Sequence, residues 1–418
     1  MCFSVQSLTI IMLQLVFNLI NNLVASALMF KRILLLLNAL TFVFFSATVF
    51  SDQNPRQIII PAPPQLAATA YLLIDANSGR VLAERNADNA LPPASITKLM
   101  TSYIISAEIE RGSISLSEKV NISVEAWKKG GSKMFVREGT QVPVIDLVRG
   151  MIIQSGNDAT IALAEHVAGS ESAFVDVMNQ QAALLGLTNT QFKNATGWPE
   201  EGHYSSPRDI ALLTKALITE FPESYKYYSE KYFSYNGINQ PNRNKLLFRD
   251  KTIDGVKTGH TEEAGYCLVA SSEKEGMRLI SVVMGTNSDS ARAQETQKLL
   301  AYGFRYYHTH KIYEKNATVS TARVWKGQLE SIDLGVTKDI YLTVPRGSED
   351  KLIAKASVDN IIEAPVSINQ ELGSVIISLE GETLLNAPLV SLKAVEEAGL
   401  FSRIYDGVAL FFHRFTAE

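Results

Sequence analysis

The pattern of hydrophobic and polar positions predicts two structured parts of different character. Up to about residue 307, apolar residues recur at helical spacing, as at 99–105, and strand-like apolar runs follow at 266–271 and 278–284. A short polar turn joins the two runs, which predicts a hairpin. Residues 52–307 are therefore expected to mix helices and strands in an α/β (α+β) domain.

After residue 307 the sequence changes to short alternating runs, such as 339–345 and 374–379. The second run ends at a turn over 380–382. Alternation with a period of two indicates strands that bury one face, so residues 308–391 are predicted to form a small β-sandwich-like domain. No group of polar residues there indicates chemistry, and we expect a spacer or stabilising role.

The segment 392–418 has an amphipathic pattern at helical spacing. Charged side chains, among them Arg403 and Asp406, fall between its apolar residues and interrupt them too often for a helix that crosses a bilayer. We expect this helix to lie on a membrane surface; the alternative is a helix docked on its own domain. The apolar residues are Leu400, Phe401, Ile404, Tyr405, Val408, Phe411, Phe412 and Phe415.

Residues 1–51 have the pattern of a targeting segment. A basic pair at 31–32 precedes an apolar run at 33–50, which predicts a secretory signal peptide cleaved near Ser51. The residues before the basic pair are also apolar, so we expect translation to start at Met29. The alternative is a second membrane segment. Export from the cytoplasm follows from the signal peptide.

Composition agrees with two cores and argues against several functions. The chain has 418 residues, 46% of them hydrophobic, which is too long for one ordinary domain of roughly 100 to 200 residues. A formal net charge of −4 without a basic stripe gives no indication of nucleic acid binding. Without residues 1–51, Cys267 is the sole cysteine, so no disulfide is expected. The close histidine pair His308 and His310 has no acidic motif beside it, so neither a metal nor another cofactor is predicted.

A serine and a lysine three residues apart, Ser95 and Lys98, stand at the start of a predicted helix. Unpaired backbone N–H groups at a helix start favour negative charge on a bound carbonyl oxygen. Lys98 falls on the same face as Ser95, and the apolar helix that follows disfavours its charged form, which leaves a neutral amine to act as a base. The alternative is a capping serine beside a solvated lysine.

A polar turn carrying Ser155 and Asn157 separates two largely apolar helical stretches, 147–153 and 159–168. Ser155 can relay a proton between Lys98 and a leaving group. Asn157 can hold a substrate amide through both ends of its side-chain amide. The alternative is a loop whose side chains satisfy helix ends.

Lys257, Thr258 and Gly259 precede the two strand-like runs and are predicted to lie on a third strand of the same sheet. They present a cation, a hydroxyl and a stretch of backbone without a side chain, and Gly259 allows a ligand to approach closely. The alternative is an ordinary charged turn.

Each of the first two motifs is weak evidence alone, because the same spacings recur elsewhere in the chain. The ordered set is informative, since Lys-Thr-Gly occurs once. The other occurrences are Ser271/Lys274 and Ser348/Lys351 for the first motif, and Ser234/Asn236 and Ser367/Asn369 for the second.

With these motifs in this order, the chain resembles the penicillin-recognising serine DD-peptidases of the S11 type. Within them it is most similar to the low-molecular-mass penicillin-binding proteins that act as D-alanyl-D-alanine carboxypeptidases. The similarity covers nearly all of the chain after residue 60, with extended agreement at 70–79, 154–159 and 254–266. It implies a serine β-lactamase/DD-peptidase fold, in which an antiparallel sheet is flanked by helices with a helical subdomain, followed by a small all-β domain and a C-terminal amphipathic helix.

The resemblance implies a two-step acyl transfer on a peptidoglycan stem pentapeptide that ends in D-alanyl-D-alanine. Ser95 would attack the last peptide carbonyl, with Lys98 as the base and the backbone N–H groups of Ser95 and His260 as the oxyanion hole. Ser155 and Lys257 would carry a proton to the departing D-alanine, and water would then hydrolyse the acyl-enzyme.

The resemblance also implies how the substrate is held. Asn157 would bind the peptide, while Thr258, the charge of Lys257 and Arg292 would recognise the terminal carboxylate. A β-lactam antibiotic would acylate the same serine, and no cofactor takes part. The alternative for Arg292 is a solvated residue at the start of a helix predicted over 291–307.

Two segments depart from the family pattern. The loop at 126–135 is shorter than its counterpart, and it is expected to border the cleft. Trp198, in the loop at 197–205, stands where a smaller residue is common. Neither departure predicts a catalytic role.

Two other functions stay open at this point. A serine β-lactamase shares the first and third motifs, with Glu200 or Glu201 as a candidate base for deacylation, although the Glu-x-x-Leu-Asn pattern of the commonest class is absent. A non-catalytic wall-binding scaffold of the same fold is the second, and the three intact motifs argue against it. The preferred interpretation is a periplasmic enzyme attached peripherally to the outer face of the inner membrane, as the C-terminal anchor of the family also implies.

Overall fold

The computed structural model describes residues 12–29, 31 and 59–416. It divides into two compact units, Met1–Gln57 and Ile58–Glu418. In the first unit, helix α1 (Met12–Met29) is long and apolar enough to cross a membrane, with a mean hydropathy of 1.5. The predicted signal segment at 33–50 and its cleavage near Ser51 lie outside the described residues.

The second unit begins with strands that belong mainly to one sheet. In chain order they are β1 (Ala70–Asp75), β2 (Val81–Arg85), β3 (Lys119–Asn121), β4 (Gln141–Pro143), β5 (Tyr232–Tyr235), β6 (Ile238–Pro241), β7 (Ile253–Thr261), β8 (Gly265–Lys274) and β9 (Met277–Thr286). Five of them form an antiparallel sheet in the order β2–β1–β9–β8–β7, while β3–β4 and β5–β6 form separate pairs.

Helices accompany the five-stranded sheet, and α7 (Pro207–Glu220) and α9 (Asp289–Tyr306) contact its strands from opposite faces. The helices are α2 (Lys98–Glu110), α3 (Val124–Lys128), α4 (Val144–Ile153), α5 (Asn157–Ala168), α6 (Glu171–Leu184), α7 (Pro207–Glu220), α8 (Pro222–Tyr225) and α9 (Asp289–Tyr306). Short 3-10 helices at Ala94–Thr97, Lys226–Ser229 and Lys245–Phe248 complete this part.

Alternation along β1 shows how the sheet joins two cores. Leu72 and Ile74 pack into the cluster formed with α2 and α4 to α7, whereas Tyr71 and Leu73 pack into the cluster that contains α9. Successive side chains of a strand point to opposite faces, so a strand buried on both sides reads as a continuous apolar run. The predicted antiparallel sheet flanked by helices is confirmed.

The predicted hairpin and its third strand are also confirmed. β8 and β9 pair through the turn at 275–276, and β7 pairs with β8 in a register that places Thr258 opposite Leu268. The helix predicted over 291–307 is α9, which begins earlier because the Ser288 hydroxyl accepts a hydrogen bond from the Ala291 N–H and caps it.

After α9 the described chain is all-β up to Ser391, apart from one short 3-10 helix at Glu349–Lys351. The strands are β10 (Tyr307–Tyr313), β11 (Thr318–Trp325), β12 (Ser331–Gly335), β13 (Ile340–Pro345), β14 (Leu352–Val358), β15 (Ile362–Glu363), β16 (Glu371–Leu379) and β17 (Glu382–Ser391). One sheet has the order β14–β16–β17–β12–β11–β15, a second consists of β10 and β13, and the two sheets share one core. The predicted small all-β part is confirmed.

Strand β10 connects the two structured parts through buried polar contacts. The Thr309 hydroxyl donates to Asp75 Oδ2 at 2.8 Å and lies 2.9 Å from the Thr343 hydroxyl. Asp75 is fully buried, and its other oxygen accepts hydrogen bonds from the backbone N–H and hydroxyl of Ser78. Each polar group at this junction has a partner, as buried groups require.

The predicted C-terminal helix is present as α10 (Leu400–Thr416). Leu410 is buried against the β part, and the Asp406 carboxylate accepts a hydrogen bond from the Lys326 N–H at 2.7 Å. The opposite side of the helix is exposed, with Phe401 89% and Tyr405 75% accessible. The helix thus docks through Leu410 and Asp406, while Phe401 and Tyr405 of the predicted apolar face are exposed.

Candidate active site

The nucleophile stands at the start of a helix, as predicted. Ser95 lies in the 3-10 helix Ala94–Thr97, which continues directly into α2 at Lys98. The Lys98 amine donates to Ser95 Oγ at 3.1 Å and to the Thr196 carbonyl oxygen at 2.6 Å. Ser95 is half-buried, so a substrate can reach the hydroxyl that Lys98 contacts.

Lys98 is buried in an environment that favours its neutral form. It is 1% exposed, and burial lowers the pKa of its amine to about 7, with the charges of Arg243 and Lys129 acting in the same direction and those of Asp158 and Glu171 against it. Among the described residues, no carboxylate hydrogen-bonds to Lys98. The alternative of a solvated lysine is therefore wrong.

The second motif forms the predicted turn between two helices. Ser155 lies between α4 and α5 in a left-handed conformation with φ of 64°, and its Oγ accepts a hydrogen bond from the Lys257 amine at 2.8 Å. Burial and, after it, the charge of Lys98 hold the pKa of Lys257 well below its usual value. The three motifs therefore supply two hydrogen-bonded pairs, Ser95 with Lys98 and Ser155 with Lys257, and the charge of Lys98 influences the pKa of Lys257.

Asn157 opens α5 with one end of its amide engaged and the other unpartnered. Its Nδ2 donates to the Gly130 carbonyl at 2.8 Å, and its backbone N–H donates to the Ser132 carbonyl at 2.7 Å. Its Oδ1 is buried and has no hydrogen-bond partner among the described residues. Because the Nδ2 group carries two hydrogens and gives one to the loop, the prediction that both ends of the amide hold a substrate stays a prediction. The buried Oδ1 is available to accept a hydrogen bond from a substrate N–H.

Asp158 fixes the loop that borders Asn157, and the sequence motif did not single it out. Its carboxylate is fully buried and accepts backbone N–H groups of Met134 at 2.9 Å, Phe135 at 2.8 Å and Val136 at 3.2 Å. In the sequence, Asp158 is recognisable only as an acidic residue in the first turn of a predicted helix. Such a position indicates a favourable interaction with the helix N-terminus rather than a contact with the loop at 126–135. The loop at 126–135 does border the site, as expected.

Trp198 covers the glycines of the same loop. A Cβ atom on Gly131 would lie 3.0 Å from the Trp198 ring and 2.7 Å from Asn157 Nδ2, and Gly131 has a φ of +83°. Trp198 itself is 49% exposed. The larger side chain noted in the sequence therefore forms part of the rim of the site.

The strand that carries Lys257, Thr258 and Gly259 can lie close to the helix start that carries Ser95 because Gly259 has no side chain. β7 lies at the edge of the sheet with β8 as its partner among the described strands, so its other edge faces the 3-10 helix that carries Ser95. A Cβ atom on Gly259 would lie 3.0 Å from the Ile96 side chain and 3.0 Å from the Pro93 carbonyl oxygen. Protein atoms therefore approach Gly259 closely in the structure, and the predicted approach of a ligand stays a prediction. His260 follows on the strand, exposed, with its ring 3.9 Å from that of Tyr266.

Arg292 is buried against this strand, so the alternative of a solvated residue is wrong. Its Nη1 donates to the Gly259 carbonyl at 3.1 Å, its Nη2 pairs with Asp289, and its guanidinium lies over the Tyr266 ring. It is 8% exposed. The guanidinium thus reaches the Lys-Thr-Gly strand with several of its donors already used by the protein.

Sequence reasoning missed a second arginine at the site. Arg243 is exposed, its positive charge contributes to the lowered pKa values of Lys98 and Lys257, and it also interacts electrostatically with Arg292. Its guanidinium forms no ion pair among the described residues. It belongs to no motif and stands in a polar segment, so the sequence carried no signal for it.

The loop at 194–204 holds the carbonyl that Lys98 contacts. Asn194 Oδ1 accepts the backbone N–H groups of Gly197 at 2.8 Å and Trp198 at 3.0 Å, and its Nδ2 donates to Glu200 at 3.0 Å. His203 lies 2.8 Å from the Thr97 hydroxyl, and burial lowers its pKa to about 4, which keeps it neutral.

A cavity of about 590 Å³ lies beside this loop, lined among others by Pro93, Trp198, Glu200, Thr261 and Glu263. Glu200 is engaged by Asn194, and no described carboxylate hydrogen-bonds to Ser95 or Lys98. The position of Glu200 therefore gives no support to a deacylating base of the β-lactamase kind.

Comparison with known proteins agrees with this arrangement. A family model described as D-alanyl-D-alanine carboxypeptidase matches residues 57–288, and one described as Penicillin-binding protein 5, C-terminal domain, matches residues 307–397. The D-alanyl-D-alanine carboxypeptidase DacA of Escherichia coli strain K12 is 44% identical over 400 residues, which cover 94% of this chain and 99% of DacA.

Solved structures show the same similarity. Penicillin-binding protein 5 from Haemophilus influenzae superimposes with a TM-score of 0.77 at 42% identity, covering 81% of this chain and 100% of that one. Penicillin-Binding Protein D2 from Listeria monocytogenes, in an ampicillin-bound form, superimposes with a TM-score of 0.54 at 31% identity, covering 58% of this chain and 100% of that one. The resemblance recognised in the sequence is thereby confirmed, and the chain belongs to the D-alanyl-D-alanine carboxypeptidase family.

Proposed function

We propose that the chain removes the terminal D-alanine from peptidoglycan stem pentapeptides through an acyl-enzyme on Ser95. The observation that carries this proposal is the 3.1 Å hydrogen bond between Ser95 Oγ and a buried Lys98 amine whose pKa is lowered to about 7. A neutral amine at that distance accepts a proton without further rearrangement. The curated carboxypeptidase relatives, which match nearly the whole chain, support the reaction class.

The acylation step uses the contacts of the three motifs. Ser95 Oγ attacks the carbonyl carbon while its proton passes to Lys98 Nζ, and the backbone N–H groups of Ser95 and His260 stabilise the oxyanion. The peptide C–N bond then breaks, and the departing amine takes a proton from Ser155, which Lys257 replaces across their 2.8 Å hydrogen bond. Water then attacks the ester carbonyl, one of its hydrogens passes to Ser95 Oγ, and the acid is released. The proton held on Lys98 returns to Lys257, so both lysines regain their starting protonation states.

The substrate lies along the edge of β7 that has no partner strand among the described residues. An extended peptide can add to such an edge through backbone hydrogen bonds, and Asn157 Oδ1 supplies a further acceptor on the opposite side. Thr258 and the charges of Lys257, Arg292 and Arg243 recognise the terminal carboxylate. The two arginines differ in role, since Arg292 also fixes the Gly259 carbonyl while the guanidinium of Arg243 is accessible.

A β-lactam acylates Ser95 in the same manner, because its amide carbonyl enters the same oxyanion hole. The ampicillin-bound Listeria structure, at 31% identity, supports this. Among the described residues no carboxylate hydrogen-bonds to Ser95 or Lys98, and the three motifs are intact, so we favour the carboxypeptidase over the two alternatives.

The remaining parts of the chain serve localisation in this proposal. We assign 1–51 to a signal region, 52–307 to the catalytic domain, 308–391 to the β domain and 392–418 to a membrane-anchoring helix. The exposed apolar face of α10 supports peripheral attachment, and the apolar helix α1 supports a membrane-directed N-terminus. The enzyme would act in the periplasm from the outer face of the inner membrane.

The reaction is tested by mass spectrometry of a stem pentapeptide after incubation with the protein. The wild type is expected to remove one terminal D-alanine, and Ser95→Ala to leave the peptide unchanged, because Ser95 carries the one described hydroxyl that hydrogen-bonds to Lys98. Ser348→Ala, at the serine of another Ser-x-x-Lys sequence, is the matched control and should retain activity. Release of D-alanine by Ser95→Ala at the wild-type rate would show that the nucleophile is misassigned.

The proton acceptor is tested by the pH dependence of acylation with a fluorescent penicillin. Only the neutral Lys98 amine accepts the serine proton, so the rate should rise with pH up to about 7. Below that value it should fall about tenfold for each pH unit. Lys98→Arg stays protonated and should not be labelled at any pH. A wild-type rate that does not change between about pH 5 and 8 would contradict a lysine base with this pKa.

The carboxylate contact is tested by comparing a peptide with a free C-terminus and its C-terminal amide. Loss of a charged hydrogen bond costs roughly 1.5 to 3 kcal/mol, so Arg243→Gln should lower kcat/KM about 10- to 100-fold for the acid and much less for the amide. Arg292→Gln should additionally lower the melting temperature, because Arg292 is buried and pairs with Asp289. Equal losses on both peptides for both variants would argue against carboxylate recognition.

The anchoring role of α10 is tested with the compact unit Ile58–Glu418 and phospholipid vesicles. Replacing Phe401 and Tyr405 by serine should weaken vesicle sedimentation by about tenfold or more, because each aromatic side chain contributes roughly 1.5 to 3 kcal/mol when buried. Leu329→Ser, at a position 47% exposed in the β part, is the control for a general loss of apolar surface. Unchanged sedimentation of the double variant would remove α10 as the anchor.

A further inference from the structure

Three possible metal ligands meet on β10 and in the short 3-10 helix that follows β13. The ligand atoms of His308, His310 and Glu349 all lie within 4.8 Å of one another. His308 Nδ1 is 2.9 Å from His310 Nε2, and His310 Nε2 is 3.7 Å from Glu349 Oε1. The sequence showed the histidine pair without an acidic partner, because the carboxylate comes from a distant position that the fold brings close.

The strand geometry holds the two imidazoles on one face. Residues two apart on a strand point the same way, so His308 and His310 project together while Thr309 projects to the other side. Thr309 is tied to Asp75 and Thr343 by hydrogen bonds of 2.8 and 2.9 Å. β10 is therefore fixed from behind, and the histidine pair occupies its outward face.

Glu349 is equally well placed before any ion arrives. Its 3-10 helix is held by Ser348, whose backbone N–H and hydroxyl both donate to the Pro345 carbonyl oxygen at the end of β13. Partial burial works against ionisation, but backbone N–H groups of Glu349 and Gly347 and the two imidazoles outweigh it and keep the pKa of the Glu349 carboxyl below its usual value. The carboxylate is thus ionised at neutral pH.

We propose that His308, His310 and Glu349 form a binding site for a divalent transition-metal ion, best suited to Zn²⁺. Two imidazole nitrogens and one carboxylate oxygen are ligands that Zn²⁺ prefers, and water completes the tetrahedron. Ligand bonds of about 2.0 to 2.2 Å require the nitrogens to separate by only a few tenths of an ångström from their present contact. The hydrogen now shared between the rings moves to an outer ring nitrogen, so each imidazole offers a lone pair to the metal.

The ion would act structurally rather than in the carboxypeptidase reaction. It would link β10, the strand that directly follows α9 and contacts Asp75, to the segment that leaves β13. The junction between the two structured parts would then be closed on both faces of β10, by Thr309 on one and by the metal on the other. Binding to the folded state raises its stability with metal concentration.

The test uses the full chain in detergent, purified without a polyhistidine tag and stripped of metal. Isothermal titration with Zn²⁺ should show one site per chain, and Zn²⁺ should raise the melting temperature, whereas Mg²⁺ should not. His310→Gln should abolish both effects, and Glu349→Gln should weaken Zn²⁺ binding by more than about tenfold.

His166→Gln is the matched control, since His166 also faces a carboxylate, Glu118 at 3.2 Å, but has no second imidazole beside it. It should bind Zn²⁺ like the wild type. Circular dichroism and the melting temperature in the presence of a chelator identify variants that fail to fold. If His310→Gln fails to fold, His308→Gln removes a second ligand instead. Equal Zn²⁺ stoichiometry in the wild type and in a folded histidine variant would overturn the proposal.

Discussion

The structure depends above all on a buried amine in contact with a hydroxyl. Water would solvate an exposed lysine and keep it protonated, and removal from water is the main cause that brings the pKa of Lys98 to about 7. That removal requires α2 to run into the core, the Thr196 carbonyl to receive one N–H of the amine, and the loop behind Thr196 to be held by Asn194. Several elements of the catalytic part therefore act together to keep the Lys98 amine buried, although burial disfavours its charged form.

The second lysine makes this arrangement more demanding. Lys257 is buried as well, and its charge and that of Lys98 each disfavour the other. Two amines close together in a low dielectric cannot both remain protonated near neutral pH without a compensating anion. Lys257 hydrogen-bonds to Ser155, so a proton can be taken up at Lys98 while another is supplied through Lys257 and Ser155.

The sequence predicted the elements that carry a short-range signal. Helical spacing after Ser95, the turn at Ser155 and the apolar runs of β8 and β9 each specify local structure, and all three were found where expected. The resemblance then supplied the fold that brings them together. Contacts made by single residues across the cleft were not predictable in this way: Asp158 and Arg243 belong to no periodic pattern, and the engaged end of the Asn157 amide depends on a loop whose path only the folded chain defines. The same holds for Glu349, because three complete strands, β11, β12 and β13, separate it along the chain from its histidine neighbours.

The cationic character of the cleft has a consequence for the molecule that enters it. Lys98, Lys257, Arg243 and Arg292 share one small region, and among them only Arg292 has a described carboxylate as its ion-pair partner. An incoming anion supplies the missing counter-charge and at the same time eases protonation of the neighbouring amine. Recognition and proton supply are therefore thermodynamically linked. Mobile salt ions supply the same counter-charge, so the electrostatic coupling among these four cations weakens as ionic strength rises.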